Sequence, residues 1–359
     1  MQTQSNKIDF NGQNIYVGFD VHLKSWTVTV MTEKLTHKTF SQPPKPEVLY
    51  HYLLKNFPGA KFHSAYEAGF SGYWIHNKLT KFGINSMVVN PADIPTTGKE
   101  LVMKDDTRDS IKIARSLRNG DLKPIYVPSL PTLEDRCFVR TRATLVKDLT
   151  RYKNRIKAFL YYHGIELPEV FNKPKPYWSN RFNKWLEDIE MTELSGKASI
   201  NVLLEQSKHL RASILQVTRQ IRELAKTDRY KMQQELLYSI PGIGLLTAMV
   251  ILTEIETINR FDSIDQLCGF IGLVPSTNTS GDHEIIGDIT PRGHSVLRPA
   301  IIESAWMAAR LDPALNKCYH DYCKRMEPNK AIIRIAKKLI SRIRFVLKNN
   351  QPYVCSVVK

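Results

Sequence analysis

What most constrains this chain is a run of three short β-rich segments near its start, followed by helix and strand in alternation. Asn14 to His22 (NIYVGFDVH) alternates and is rich in β-formers, so it reads as a strand ending at Asp20. Trp26 to Met31 (WTVTVM) reads as a second strand and Leu35 to Phe40 as a third. Val48 to Leu54 begins a helical pattern with Tyr50, Leu53 and Leu54, and Phe62 to Glu67 (FHSAYE) is a strand that again ends on a carboxylate. Trp74 to Phe82 is helical, and Ile84 to Asn90 is a strand that Pro91 stops. A meander leading into alternating units predicts a mixed α/β sheet.

The segment from Met103 to Arg115 (MKDDTRDSIKIAR) then opens another helix, with carboxylates crowded into the first turn, where the N-terminal partial charge favours anions. Asp106 and Asp109 lie three apart and project from one face, with Lys104 and Arg108 as neighbouring cations. Such a face could hold Mg²⁺ against a phosphate; taken alone, the segment reads first as a helix start carrying solvated acids. The element order as a whole resembles an RNase H-like fold, the core shared by RuvC-type resolvases and many transposases. In that fold acids stand at the end of the first strand, on the fourth strand and on a late helix, and here those places hold Asp20, Glu67, and Asp106 with Asp109. Paired divalent ions need several hard oxygen ligands to stabilise the attacking and leaving oxygens of a phosphodiester, which is why such folds carry them. A dinucleotide-binding reading fails because no GxGxxG follows the first strand.

At 359 residues the chain predicts two or three domains. Its formal net charge of +16, from 51 Lys and Arg against 35 acids, is spread along the whole length and points to DNA or RNA as partner. Cys137, Cys268, Cys318, Cys323 and Cys355 are scattered and form no CxxC pair, so neither a zinc ribbon nor a disulfide framework is expected. With no apolar leader and no stretch of membrane-spanning length, the expected compartment is the reducing cytoplasm, in association with the nucleoid.

Asp121 to Pro131 (DLKPIYVPSLP) reads as a linker, and a long helix is predicted from Thr132 to about Tyr162. Its seam is Leu145, Leu149, Tyr152, Ile156 and Phe159, surrounded by Arg and Lys. After a break rich in proline, a second run places Ile200, Ser207, Ile214 and Ile221 at one heptad position and Leu203, Leu210, Val217 and Leu224 at another. The partner of this second helix is left open between the first helix and another protomer. The expected division is 1–120, a metal-binding α/β domain; 121–230, a helical coiled-coil spacer; and 231–359, a mainly α domain.

In the last third, Ser239 to Ala248 (SIPGIGLLTA) has the form of a helix-hairpin-helix, in which Gly242 and Gly244 allow a tight turn whose amides can meet a DNA phosphate. Its alternative is a helix–helix corner with no ligand. Phe261 to Leu273 brings another helix, and Val274 to Asp282 (VPSTNTSGD) reads as a loop of hydroxyls before Gly281. Ile289 to Arg298 (ITPRGHSVLR) leads into a helix of small apolar residues.

Together these motifs resemble the DEDD-type insertion-sequence transposases, the RNA-guided serine recombinases related to the DNA invertase Piv. The matching segments are GFDVHLKS, YEAGFSGY, KDDTRDSIKIA, IPGIGLLTA, FIGLVPSTNTSG and ITPRGHSVLR, in family order over nearly the whole chain. The resemblance implies that Asp20, Glu67, Asp106 and Asp109 bind Mg²⁺ (Mn²⁺ as a substitute) and that Ser280 is the nucleophile. Thr279 stands where a second serine is frequent, Pro291 where a basic residue is common, and His294 where Asn is common. Also implied are a composite site completed in cis or by another protomer, a phosphoserine link to DNA with a free 3′ hydroxyl, a structured guide RNA, and a dimer or tetramer. No histidine is an obvious base, which favours a metal to activate the serine. Arg292 and Arg298 are candidate phosphate clamps. Two other readings stay open: a RuvC-like junction endonuclease in which water attacks, and a catalytically dead nucleic-acid-binding protein.

Overall fold

The computed structural model describes residues 9–96, 105–171, 177–280 and 283–355, and only the backbone for 277–280 and 283–286. The chain forms two compact units, residues 1–127 and 128–359.

The first unit contains β1 (Asn14–Val21), β2 (Trp26–Met31), β3 (Thr36–Gln42), α1 (Pro46–Asn56), β4 (Lys61–Glu67), α2 (Trp74–Lys81), β5 (Asn85–Val89) and α3 (Asp106–Asn119). Short turns make β1, β2 and β3 an antiparallel meander, whereas the crossover through α1 returns β4 parallel to β1, giving the strand order β3-β2-β1-β4-β5. β1 is therefore the central strand.

Its two faces have different partners because successive side chains alternate. Ile15, Val17 and Phe19 join Leu49, Leu53, Ile75 and Leu79 of α1 and α2 in one core. There Phe19 is stacked between Trp26 and Tyr66 with centroids 5.3 and 5.2 Å away, contacts worth about 1 kcal/mol each beyond area burial. On the other face, Ala65, Val89, Ile113 and Leu117 pack together under α3.

Gly18 sets how closely α3 approaches. A Cβ at this position would fall inside the van der Waals shells of the Ala114 amide nitrogen and the Ser110 carbonyl oxygen. Thr29, paired with Gly18 in register, meets the Ser110 hydroxyl at 2.8 Å in the buried layer between sheet and helix. Gly18→Ala should therefore destabilise the first unit by about 1–3 kcal/mol through overpacking, read as a lower urea midpoint for the full-length chain.

The second unit begins with α4 (Leu130–Tyr162), α5 (Asn180–Asp188) and α6 (Leu194–Ala225). α4 and α6 run antiparallel. Val139 packs with Ile221 and Ala225 at one end, whereas Ile156 and Leu160 pack with Ile200 and Leu204 at the other. Midway, the Arg142 guanidinium donates to Thr218 Oγ1 at 2.7 Å. The partner of the second heptad run is thus the first helix of the same chain, and the seam between the buried ends (Leu149, Tyr152, Leu210, Ile214) is half-buried. α5 lies just beyond the proline-rich break, where the sequence pattern predicts no helix. Ser179 caps it by accepting from the Phe182 amide, and Phe182 and Leu186 are fully buried.

The rest comprises α7 (Lys231–Tyr238), α8 (Leu245–Ile255), α9 (Ile264–Ile271), β6 (Pro275–Ser280), β7 (His283–Ile289), α10 (Leu297–Leu311), α11 (Pro313–Cys323) and α12 (Pro328–Asn349). The polar stretch expected to be a loop is instead β6, paired antiparallel with β7. Its run of hydroxyls lacks apolar alternation, and the ladder to the Ile-rich partner strand decides its conformation. Among the described residues no helix is long and apolar enough to cross a membrane, and all five cysteines are free thiols.

Candidate metal centre

The register of β1 and β4 places two of the expected acids side by side. Phe19 pairs with Tyr66, so Asp20 and Glu67 follow at the same level on neighbouring parallel strands. Both occupy the face covered by α3, since Gly18 and Ala65 two residues earlier lie under that helix. α3 starts at Asp106. Asp105 caps it by accepting from the Thr107 amide at 3.2 Å, and Gly120 ends it in the left-handed region at φ 78°. The close seat of α3 on Gly18 then delivers the Asp106 carboxylate to Asp20.

A third group completes the cluster, and it is a histidine. His22 Nε2 lies 3.2 Å from Asp20 Oδ2 and 3.2 Å from Asp106 Oδ2. One ligand atom from each of Asp20, His22 and Asp106 falls within 4.8 Å of the others, a donor set suited to a divalent ion. Half-burial pushes the Asp20 carboxyl above its ordinary range, His22 pulls it back, and the nearby charges of Asp106 and Asp109 push it up again. Like charges held this close, with partial burial, are what a bound divalent cation would relieve. Asp109, one turn on, is paired with Lys112 Nζ at 3.0 Å, and that lysine is nearly buried. Glu67 ends β4 outside the three-residue cluster. Arg108 is exposed on α3, and Lys104 lies outside the described residues.

The structure brings Asp20 and Asp106 together, with Asp109 close enough to act on Asp20 electrostatically. His22 and Lys112 were missed as site residues. For His22 the signal was available: two positions after Asp20, it falls on the same face of an extended segment.

In the second unit Ser280 ends β6, opposite His283; its side chain and the following Gly281 lie outside the described set. The loop after β7 is held from below. His294 Nδ1 accepts from the Leu297 amide at 3.1 Å, so its proton sits on Nε2, which donates to Glu254 Oε2 at 3.2 Å. Glu254, 1% exposed, also receives two bonds of 2.7 Å from Arg140 and lies 3.3 Å from Arg136. Burial alone would raise its carboxyl, but the His294 hydrogen bond and the Arg140 guanidinium outweigh burial and hold it at about 2. Arg298 is turned inward, donating to the Arg292 carbonyl at 2.6 Å and lying against Gly272 and Gly293, while Arg292 is exposed. Gly242, at φ 89°, presses on α10, where a Cβ would lie 2.6 Å from the Ser304 carbonyl oxygen; Gly244, which precedes α8, has open space around its Cα.

A five-stranded mixed sheet with acids at strand ends and at the start of a covering helix is consistent with an RNase H-like DEDD transposase domain. Residues 17–163 match the family model of the DEDD transposases of the IS110 type, and residues 234–320 match that of the transposase IS116/IS110/IS902 family. The two matches cover most of the chain, which belongs to the IS110/IS116 family of transposases. Among curated proteins, it is 29% identical to the putative transposase y4qE of Sinorhizobium fredii over 70% of this chain and 60% of that protein. It is 28% identical to the transposase for insertion sequence element IS1533 of Leptospira borgpetersenii, over 68% of this chain and 70% of that one. With the transposase for IS1111A of Coxiella burnetii it shares 24% identity over 80% of this chain and 78% of the other.

Proposed function

We propose that the chain is a DNA transposase that uses a divalent ion, Mg²⁺ or Mn²⁺, held by the carboxylates of its first unit, and Ser280 as nucleophile. The observation that carries the ion-binding part is the meeting of Asp20, Asp106 and His22 at the C-terminal end of β1, the central strand. The family match and the position of Ser280, just before Gly281 in FIGLVPSTNTSG, support the serine. A bound ion would polarise the scissile phosphate and stabilise the charge that develops on it. Asp20 and Asp106, with Glu67 and Asp109, supply the hard oxygens, and Lys112 offsets the negative charge of Asp109. The Ser280 Oγ attacks phosphorus and gives up its proton as the bond to the 3′ oxygen breaks, leaving a phosphoserine and, after proton uptake, a free 3′ hydroxyl. Reversal on a second strand rejoins DNA and conserves the ester bond energy.

Lys104, Arg108, Arg292 and Arg298, with the amides around Gly242 and Gly244, are the groups we assign to DNA contact. The net charge of +16 supports a polyanionic partner, and we extend this to a structured guide RNA, to self-association, and to residence at the nucleoid. The domain division at 1–120, 121–230 and 231–359 belongs to the same reading.

The test is to incubate the protein with its cognate RNA, Mg²⁺ and DNA ends of the element, then look for a protein–DNA adduct by denaturing gel and peptide mapping. Attachment at Ser280 is expected. Strand cutting with no adduct would replace the serine with water as nucleophile and leave a RuvC-like endonuclease.

A further inference from the structure

The imidazole of His22 occupies an unusual place for a site built from acids. Among the described residues no Lys or Arg forms an ion pair with Asp20 or Asp106; the only basic side chain against both is His22. It is half-exposed, and its Nε2 is equidistant from one oxygen of each carboxylate. An octahedral ion with bonds of about 2.1 Å sets adjacent ligand atoms about 3 Å apart. The two nitrogen–oxygen separations of 3.2 Å already match two such edges. An ammonium or guanidinium here would neutralise the acids and close the site, whereas a neutral imidazole offers a lone pair.

We infer that His22 is a direct nitrogen ligand of the divalent ion held by Asp20 and Asp106, and that it makes the site prefer Mn²⁺ to Mg²⁺. Mg²⁺ is small and hard and takes oxygen ligands, while imidazole suits first-row transition ions, which gain more from one nitrogen in an oxygen set. The end of β1 supplies the geometry: Asp20 is on the strand and His22 is the first residue past it, where its amide donates to the Ser25 carbonyl at 3.1 Å, so one strand end contributes both an oxygen and a nitrogen. The inference rests on the reading that these carboxylates hold an ion.

The experiment uses the full-length chain without DNA. Mn²⁺ binding is followed by loss of the free-ion electron paramagnetic resonance signal, its ligands by pulsed detection of coordinated ¹⁴N, and Mg²⁺ affinity by competition with Mn²⁺. The wild type should bind Mn²⁺ at least about tenfold more tightly than Mg²⁺ and display a directly coordinated nitrogen. His22→Ala should erase the nitrogen signal and weaken Mn²⁺ by about 10–100-fold while changing Mg²⁺ affinity by less than about threefold. His22→Asp, which restores an oxygen donor, should hold both ions with no nitrogen signal. Mn²⁺ bound without ¹⁴N coupling, or equal losses for both ions in His22→Ala, would overturn the assignment while leaving the carboxylate site intact. Ion binding that is absent, or that survives Asp20→Asn combined with Asp106→Asn, would instead sink the metal reading itself and the ligand role with it.

Discussion

Asp20→Asn is expected to abolish DNA strand cleavage, by at least about 10³-fold, in a protein that is folded and no less stable without metal. Losing one ligand removes several kcal/mol of transition-state charge stabilisation, and each 1.4 kcal/mol is about tenfold in rate. The stability half of the expectation has the opposite sign. Half-burial and the charges of Asp106 and Asp109 all disfavour the ionised Asp20 carboxylate, and only His22 favours it. A neutral amide relieves that repulsion, so the metal-free melting temperature should stay level or rise. Ser280→Ala makes the informative companion: it should also stop cleavage, while leaving Mn²⁺ binding as in the wild type. Cleavage that survives Ser280→Ala but not Asp20→Asn would point to water as the attacking group, and activity retained in Asp20→Asn would remove the carboxylate site from the mechanism.

Glu254→Ala should strongly destabilise the second unit, by about 3–5 kcal/mol in denaturant titration, because it strands Arg140, Arg136 and His294 around a vacated buried charge. The same group makes stability depend on pH. Its carboxyl is held at about 2 against an ordinary 4.5, so its contribution is complete above 4.5 and is lost as pH falls from there toward 2. The full span corresponds to roughly 3 kcal/mol. The urea midpoint of the wild type should therefore fall more steeply than that of Glu254→Gln between pH 5 and 2, and the two should converge at the acid end. Parallel curves would show that the carboxylate contributes nothing through its charge. Glu254→Gln should also loosen the loop from Thr290 to Val296, since the His294 proton then meets a weaker acceptor.

Local pattern sufficed for much of the first unit. Alternation marked β1, β2 and β4 to within a residue or two, and the carboxylates crowded into the first turn marked the start of α3 to within a few residues. The acids at the ends of β1 and β4 were equally legible, since a strand's last residue is evident from where alternation stops. Less of the second unit was open to such reading. The heptads of α4 and α6 declare an apolar stripe but say nothing about which helix covers it, because the same stripe suits a neighbour in the chain or a second copy. β6 shows no alternation at all and forms because β7 pairs with it. Arg298 and Gly242, singled out as DNA contacts, also have internal packing partners that no motif announces.

The order of strands and helices and the positions of the acids along them are set locally, because each follows from neighbours a few residues apart. Long-range packing is what stands His22 between Asp20 and Asp106, turns Lys112 in on Asp109, and joins α4, α8 and the loop after β7 through Glu254. Those meetings depend on how closely one element can seat on another, as Gly18 allows α3 to do, and on buried charges finding partners far away in the chain.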